Sequence, residues 1–286
     1  MMEQWRIAGA ISATIKADGA ELCALQDGAG RDLLWDGGPV WPSHSPVLFP
    51  IVGQVAGDQV RVDGRTFPLT RHGFARRQRF EWLEQAVTRC SLELRDDETT
   101  RAVYPFEFRL VLTYVIEDGA LRVEYALTNP GTVMLPASLG AHPAFRWPLR
   151  DGVQTDYRLE FAANEPGPIH RVNGGLLDPQ ELPSPVEGRI LPLDPKLFLL
   201  DAIIMLEPRS RTVRYVGPGS GLEFQWDGFP QLALWQKPGG DFICIEPWHG
   251  YSSPAGWDGD IRDKPGAMLV APGETRLFSW SVRPIA

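Results

Sequence analysis

Residues 110–127 read LVLTYVIEDGALRVEYAL. Leu110, Leu112, Tyr114 and Ile116 recur at every second position. After Glu117-Asp118-Gly119, Leu121, Val123, Tyr125 and Leu127 do the same. A period of two is that of a strand with one apolar face, whereas a helix would repeat every three to four residues. Asp-Gly between two such runs is a strong short-range hairpin signal, because both residues tolerate the positive φ of a tight turn. The stretch predicts an antiparallel hairpin with one buried face.

The same grammar extends outward. Asp63-Gly64 separates QVRV (59–62) from RTFPL (65–69), and Asp18-Gly19 separates ATIKA (13–17) from AELCAL (20–25). Further strands are expected over 157–161, 212–216, 222–226, 232–236, 242–245 and 277–282. No amphipathic helix of three turns is visible, and the apolar run 190–200 contains Pro192 and Pro195, which break a helix. With 26 prolines and 29 glycines punctuating the chain, many short strands predict an all-β sandwich or barrel. Residues 162–186 are rich in Pro and Gly and read as a long loop, so residues 1–286 are expected to form a single domain.

Composition narrows the partners. Apolar residues make up 43% of the 286, enough for a sizeable core. The net charge of −8 argues against nucleic acid and against an anionic membrane surface, which both call for basic patches. Cys23, Cys90 and Cys244 are odd in number and widely spaced, which fits a reducing compartment rather than a disulfide framework. The N-terminus lacks the basic and apolar regions of a signal peptide, and no run reaches 18 apolar residues. A cytoplasmic location is expected.

Five histidines are candidates for proton chemistry: His44, His72, His142, His170 and His249. His72 in LTRHGFARR and His142 in SLGAHPAFRWPL lie in tight, turn-rich contexts beside aromatic residues. His170 lies in the Pro/Gly-rich loop and is expected at the surface; the place of His44 in WPSHSPVLFP is open. HEXXH, HXH, CXXC, GXSXG, P-loop and GXGXXG patterns are all absent. No metal, cofactor or nucleophile is thus indicated. Histidines and carboxylates remain, a set suited to general acid/base catalysis.

The stretches VLFPIVGQV (47–55), HGFAR (72–76), YPFEFRL (104–110), GAHPAF (140–145), DAIIM (201–205) and CIEPWHG (244–250) resemble, in this order, the aldose 1-epimerase (galactose mutarotase)-like family. They are most similar to its bacterial branch with HGFAR and EPW motifs. The resemblance spans residue 20 to the C-terminus. It implies an antiparallel β-supersandwich with a sugar-binding cleft, and cofactor-free interconversion of the α and β anomers of an aldose. It also implies that His142 protonates the ring oxygen and that Glu246 takes the proton of the anomeric hydroxyl. His72 and Asp201 would bind the sugar.

The residue types suit those roles. Imidazolium is an acid near neutrality, and a glutamate at an apolar strand end beside Trp248 would have a raised pKa. Phe74, Phe145, Trp147 and Trp248 are candidates to stack on a pyranose. Many relatives carry an arginine after FPIVG, where this chain has Gln54, expected to bind the sugar as a neutral amide that can hydrogen-bond hydroxyls but lacks the bidentate fork. Arg71, Arg76, Arg77 and Arg79 cluster nearby, and Arg76 in particular could meet an anionic group. Two alternatives therefore stand beside the mutarotase reading: a hexose-6-phosphate mutarotase, and a non-catalytic carbohydrate-binding or sensing module. His249 is expected to be structural, and Cys244 a small buried apolar residue.

Overall fold

The structure, a computed structural model, describes residues 3–285. The diagnostic stretch forms the strands Arg109–Glu117 and Ala120–Thr128, closed by Asp118 and Gly119 with φ of 48° and 74°. Positive φ at both central residues is the two-residue turn whose twist matches that of the flanking strands. Leu110 faces Leu127, Leu112 faces Tyr125, Tyr114 faces Val123 and Ile116 faces Leu121, and all eight are buried. Asp63-Gly64 likewise closes a tight hairpin between Gln59–Val62 and Arg65–Pro68.

This hairpin sits inside an antiparallel sheet of nine strands. The order runs Ile190–Pro192, Arg158–Phe161, Thr212–Gly217, Ser220–Asp227, Thr275–Ile285, Ala120–Thr128, Arg109–Glu117, Arg89–Arg95, Glu81–Gln85. A second antiparallel sheet orders Ile203–Met205, Gln231–Trp235, Phe242–His249, Leu139–Ala141 and Val47–Leu48, with Ala144–Arg146 also paired to Phe242–His249. No helix among the described residues exceeds four residues, and none is long and apolar enough to cross a membrane. The fold is an all-β sandwich.

Alternation along Phe242–His249 explains how the sandwich creates a site. Ile243 and Ile245 enter the main core shared with the nine-stranded sheet. Their neighbours Cys244, Glu246 and Trp248 point to the opposite face, because successive side chains in a strand alternate. His249 has the parity of the isoleucines, and its ring meets Phe278 of the large sheet edge-on at 5.8 Å.

Three expectations change. Glu246 is not at a strand end: the strand continues through Pro247 and Trp248 to His249. The 162–186 loop contains a small hairpin, Val172–Asn173 with Leu176–Leu177. His170, expected at the surface, is buried, because its backbone exchanges hydrogen bonds of 2.8 and 3.0 Å with Ile204 and adds a rung to the smaller sheet.

Candidate active site

Gly140 pairs with Trp248, and Ala144 pairs with Cys244. That antiparallel register puts His142 opposite Glu246. Pro143 and Pro247 flank the two residues and bring no backbone N–H to the ladder. Ala233 lies across from Glu246 on the other side, and Ile204 across from Ala233. The row His142, Glu246, Ala233, Ile204 therefore runs over one face of the sheet, and three of its members line a cavity of about 450 Å³. Gly140 has no room for a side chain, since a Cβ there would lie 2.7 Å from Trp248 Cδ1.

His142 Nε2 stands 3.2 Å from Glu246 Oε2, and both residues are buried. Among the described residues, Glu246 Oε2, His142 Nδ1, Trp248 Nε1 and Arg76 Nε, buried atoms of four cavity-lining residues, find no hydrogen-bond partner. Such convergence is unusual for native interiors and suits a ligand rich in hydroxyls. Burial, and then the charge of Asp201, push the Glu246 carboxyl well above the usual carboxylate range; the indole of Trp248 opposes this without completing a hydrogen bond. Burial lowers the His142 imidazole to about 3, with its own backbone working against the shift. Both shifts favour neutral forms, so together the two groups hold one proton at neutral pH.

The imidazole is fixed between aromatic rings. Trp41 stacks on it at 5.1 Å and 26°, and Trp235 meets it edge-on at 5.5 Å. Trp41 belongs to a loop anchored by Glu21, whose Oε1 accepts the amides of His44 and Ser45 at 2.7 and 3.0 Å. Burial would raise the Glu21 carboxyl, but bonds from His44 and Lys16 prevail and bring it to about 2. His44 is thus part of an anchor for the Trp41 loop.

His72 is held by a reciprocal clasp. Its N–H donates to Gly53 O at 2.7 Å, and its Nδ1 accepts the Gly53 N–H at 3.1 Å. With Nδ1 accepting, a neutral ring carries its proton on Nε2, and burial followed by the nearby His142 and arginines keeps the ring neutral. Gly53-Gln54 is clasped in turn by the next strand connection: Gln54 N donates to Ser252 Oγ and Ser253 N to Gln54 O. Behind it lies Lys264, buried without a carboxylate partner among the described residues. Its ammonium donates to the carbonyl of Tyr251, and burial lowers it to about 7.

The other expected residues divide. Arg71, Arg76, Asp201 and Trp248 line the cavity. Gln54 does not: its amide oxygen accepts from Arg71 at 2.9 Å and its NH2 donates to Asp58 at 3.0 Å. Arg77 bonds Thr70, and Arg79 pairs with Glu3 and Asp18, so the arginine cluster splits in two. Phe74, Phe145 and Trp147, considered as sugar platforms, belong to the main core. Trp41, Trp235, Lys237 and Ser252 line the cavity without having been singled out from the sequence. Trp235 carried a faint signal, as the last residue of an apolar strand run; Trp41 carried none. His142, Cys244 and Glu246 bring a nitrogen, a sulfur and an oxygen within 4.8 Å of one another, the donor set a metal would need. Burial raises the Cys244 thiol and keeps it protonated, and it packs with Trp35, Ala144 and Phe242.

Residues 4–281 match the family model described as aldose 1-epimerase. The chain is 33% identical to the chromosomally encoded protein LacX of Lactococcus lactis subsp. lactis, over 95% of this chain and 96% of that protein. Among solved structures, a galactose mutarotase related enzyme from Lactobacillus acidophilus superposes with a TM-score of 0.94 at 26% identity, covering 99% of this chain and 98% of the other. A galactose mutarotase-like protein from Lactobacillus casei gives 0.90 at 27%, covering 99% and 100%.

Proposed function

The chain belongs to the aldose 1-epimerase family, and from that premise we propose that it is a cofactor-free mutarotase in which His142 and Glu246 carry the protons of ring opening and closure. Opening a cyclic hemiacetal breaks the C1–O5 bond and turns O1 into a carbonyl oxygen. O5 must gain a proton and O1 must lose one. His142, protonated, delivers the first; Glu246, ionised, receives the second. After rotation about C1–C2, Glu246 returns its proton to O1 and His142 recovers one from O5. The pair holds one proton before and after each turnover.

The observation that carries this reading is the 3.2 Å approach of His142 Nε2 to Glu246 Oε2 on the cavity wall. The proton that burial leaves on Glu246 has a short path to His142, and sugar hydroxyls entering the cavity replace water as partners for the ionised form. His72 offers its Nε2–H to a hydroxyl, Asp201 accepts from another, and Trp41, Trp235 and Trp248 give apolar walls for the C–H faces of the ring.

Anomer exchange, followed by polarimetry or NMR, tests the proposal. Glu246→Gln and His142→Asn should each lower the acceleration by roughly 10²–10⁴-fold, the usual weight of a general acid or base. Sugar binding without exchange in the wild type would instead support a carbohydrate-binding module. One observation favours a phosphorylated aldose: Arg71, Arg76 and Lys237 all line the cavity. Comparing glucose with glucose 6-phosphate, in the wild type and in Arg76→Ala, separates the two substrate classes.

A further inference from the structure

Asp201 lines the cavity over His142 and Glu246 with a φ of 66°. That left-handed value is costly for a residue with a Cβ, and strain of this kind persists only where the surrounding structure enforces it. Asp201 follows the 3₁₀ turn Pro195–Phe198, and its N–H donates to Phe198 O at 3.1 Å. Its Oδ1 accepts from the next amide, Ala202 N, at 2.8 Å. One guanidinium binds this turn at two points. Arg171 Nη1 donates to Asp201 O at 2.6 Å, and Nη2 donates to Leu197 O at 2.8 Å. Both bonds go to the main chain rather than to the Asp201 carboxylate. A planar fork can span two carbonyls in fixed geometry, which a point-like ammonium cannot. Arg171 is itself fixed: its carbonyl accepts from Asp178 N at 2.9 Å, and His170 beside it exchanges backbone bonds with Ile204. Half-burial disfavours its charge, and the charge of Asp201 works against that.

We infer that Arg171 is a positioning residue of the site: its grip on the Leu197 and Asp201 carbonyls holds the strained turn that presents the Asp201 carboxylate to the sugar and to Glu246. This rests on the proposed anomer exchange at His142 and Glu246. An effect of the arginine's own charge would have the opposite sign. The charge of Asp201 raises the Glu246 carboxyl, so an Asp201 released toward water lowers it, whereas loss of a nearby positive charge raises it. Arg171→Lys keeps the charge and loses the fork. The other ionisable groups near Glu246 are untouched by that change: burial keeps His72, His142 and Cys244 neutral, and Arg71, Arg76 and Lys237 stand round the same cavity.

A double-mutant cycle of Arg171→Lys and Asp201→Gly tests it, read in the KM of anomer exchange and in the alkaline limit of its pH profile. Glycine takes the left-handed backbone without strain, so Asp201→Gly removes the carboxylate and leaves the turn. Arg171→Lys should raise KM by roughly tenfold, the scale of one hydrogen bond to a charged group, and move the alkaline limit down. In the Asp201→Gly background the same substitution should change neither, because no carboxylate remains to be placed. An Arg171→Lys effect that persists in full beside Asp201→Gly overturns the inference. So does a single Arg171→Lys variant with wild-type KM, or one whose alkaline limit moves up. If the wild type exchanges no anomers, the proposed function falls, and the same cycle read as calorimetric Kd for glucose and galactose still decides Arg171. Absence of both exchange and binding removes both.

Discussion

His142 and Glu246 face each other across an antiparallel register, with Nε2 3.2 Å from Oε2, and burial displaces both from their ordinary ionisation in opposite directions. The one-proton state of the pair therefore covers a wide pH range. Its acid limit is His142 gaining a second proton near 3; its alkaline limit is Glu246 losing its proton, well above the usual carboxylate range. The protein-dependent part of the anomer-exchange rate should stay level from weakly acidic pH upward, without the fall near 6.5 of an ordinary histidine. A rate profile corrected for spontaneous mutarotation checks this.

The same shifts act on stability. Glu246 has a raised folded pKa, so its contribution is present below the unfolded value near 4.5 and is lost as pH rises toward the folded one. Glu246→Gln stays neutral throughout. The variant should gain on the wild type by about 1.4 kcal/mol per pH unit over that window, measured by denaturant unfolding. A variant that loses activity yet unfolds at higher denaturant would be the signature of a carboxylate kept for function. No gain in stability between pH 5 and 7 would mean that Glu246 rests ionised.

How much of this was legible in the sequence varies by residue. The period of two and the Asp118-Gly119 turn disclosed the large sheet, because local alternation and turn chemistry agree there. GAHPAF and CIEPWHG singled out His142 and Glu246, which the structure brings together on the cavity wall, although nothing local says that residues about a hundred positions apart lie in one register. The strand expected to end at residue 245 continues through Pro247 to His249. His170 read as a surface residue from its Pro/Gly-rich neighbours; the backbone of Ile204 captures it. Gln54 read as a sugar ligand, but Arg71 and Asp58 already bond its amide. Trp41 reaches His142 through a loop anchored on Glu21, a contact that no periodicity encodes.

Trp41 shields the imidazole from water, and desolvation is the largest cause of the low His142 pKa. Trp41→Ala should admit water and move the acid limit of the rate profile upward from about 3 toward the ordinary histidine value. Trp41→Phe, which keeps an aromatic face, should move it less. The profile alone distinguishes shielding from a simple loss of sugar contact, which would change KM at every pH.

Lys264 supports the clasp from behind. Lys264→Met keeps the stem but removes the donor to Tyr251 O, loosening the segment that holds Gln54 and, through Gly53, His72. Losing one such bond is worth about 1 kcal/mol, so KM should rise roughly fivefold with a smaller change in kcat. The folded pKa of Lys264 is depressed to about 7, so its contribution to stability is present above the unfolded value near 10.5 and fades as pH falls through 7. The stability difference between wild type and variant should therefore grow in favour of wild type from pH 7 to pH 10.

Gly53 is where the two clasps meet. Its φ is 69°, and a Cβ there would lie 1.9 Å from Ser252 Oγ and 2.8 Å from Ser252 N. Gly53→Ala meets both the left-handed backbone penalty of about 1–2 kcal/mol and an overpacking cost of about 1–3 kcal/mol. Ser252 must give way, which removes its bond to Gln54 N and releases His72 from its fixed tautomer. The double variant Gly53→Ala, Ser252→Gly removes the contact with Oγ but leaves the close approach to the backbone of residue 252, the φ penalty and the missing hydroxyl. It should recover part of the lost stability and little of the sugar affinity. Unfolding midpoints and calorimetric Kd, measured on the same preparations, separate the two effects.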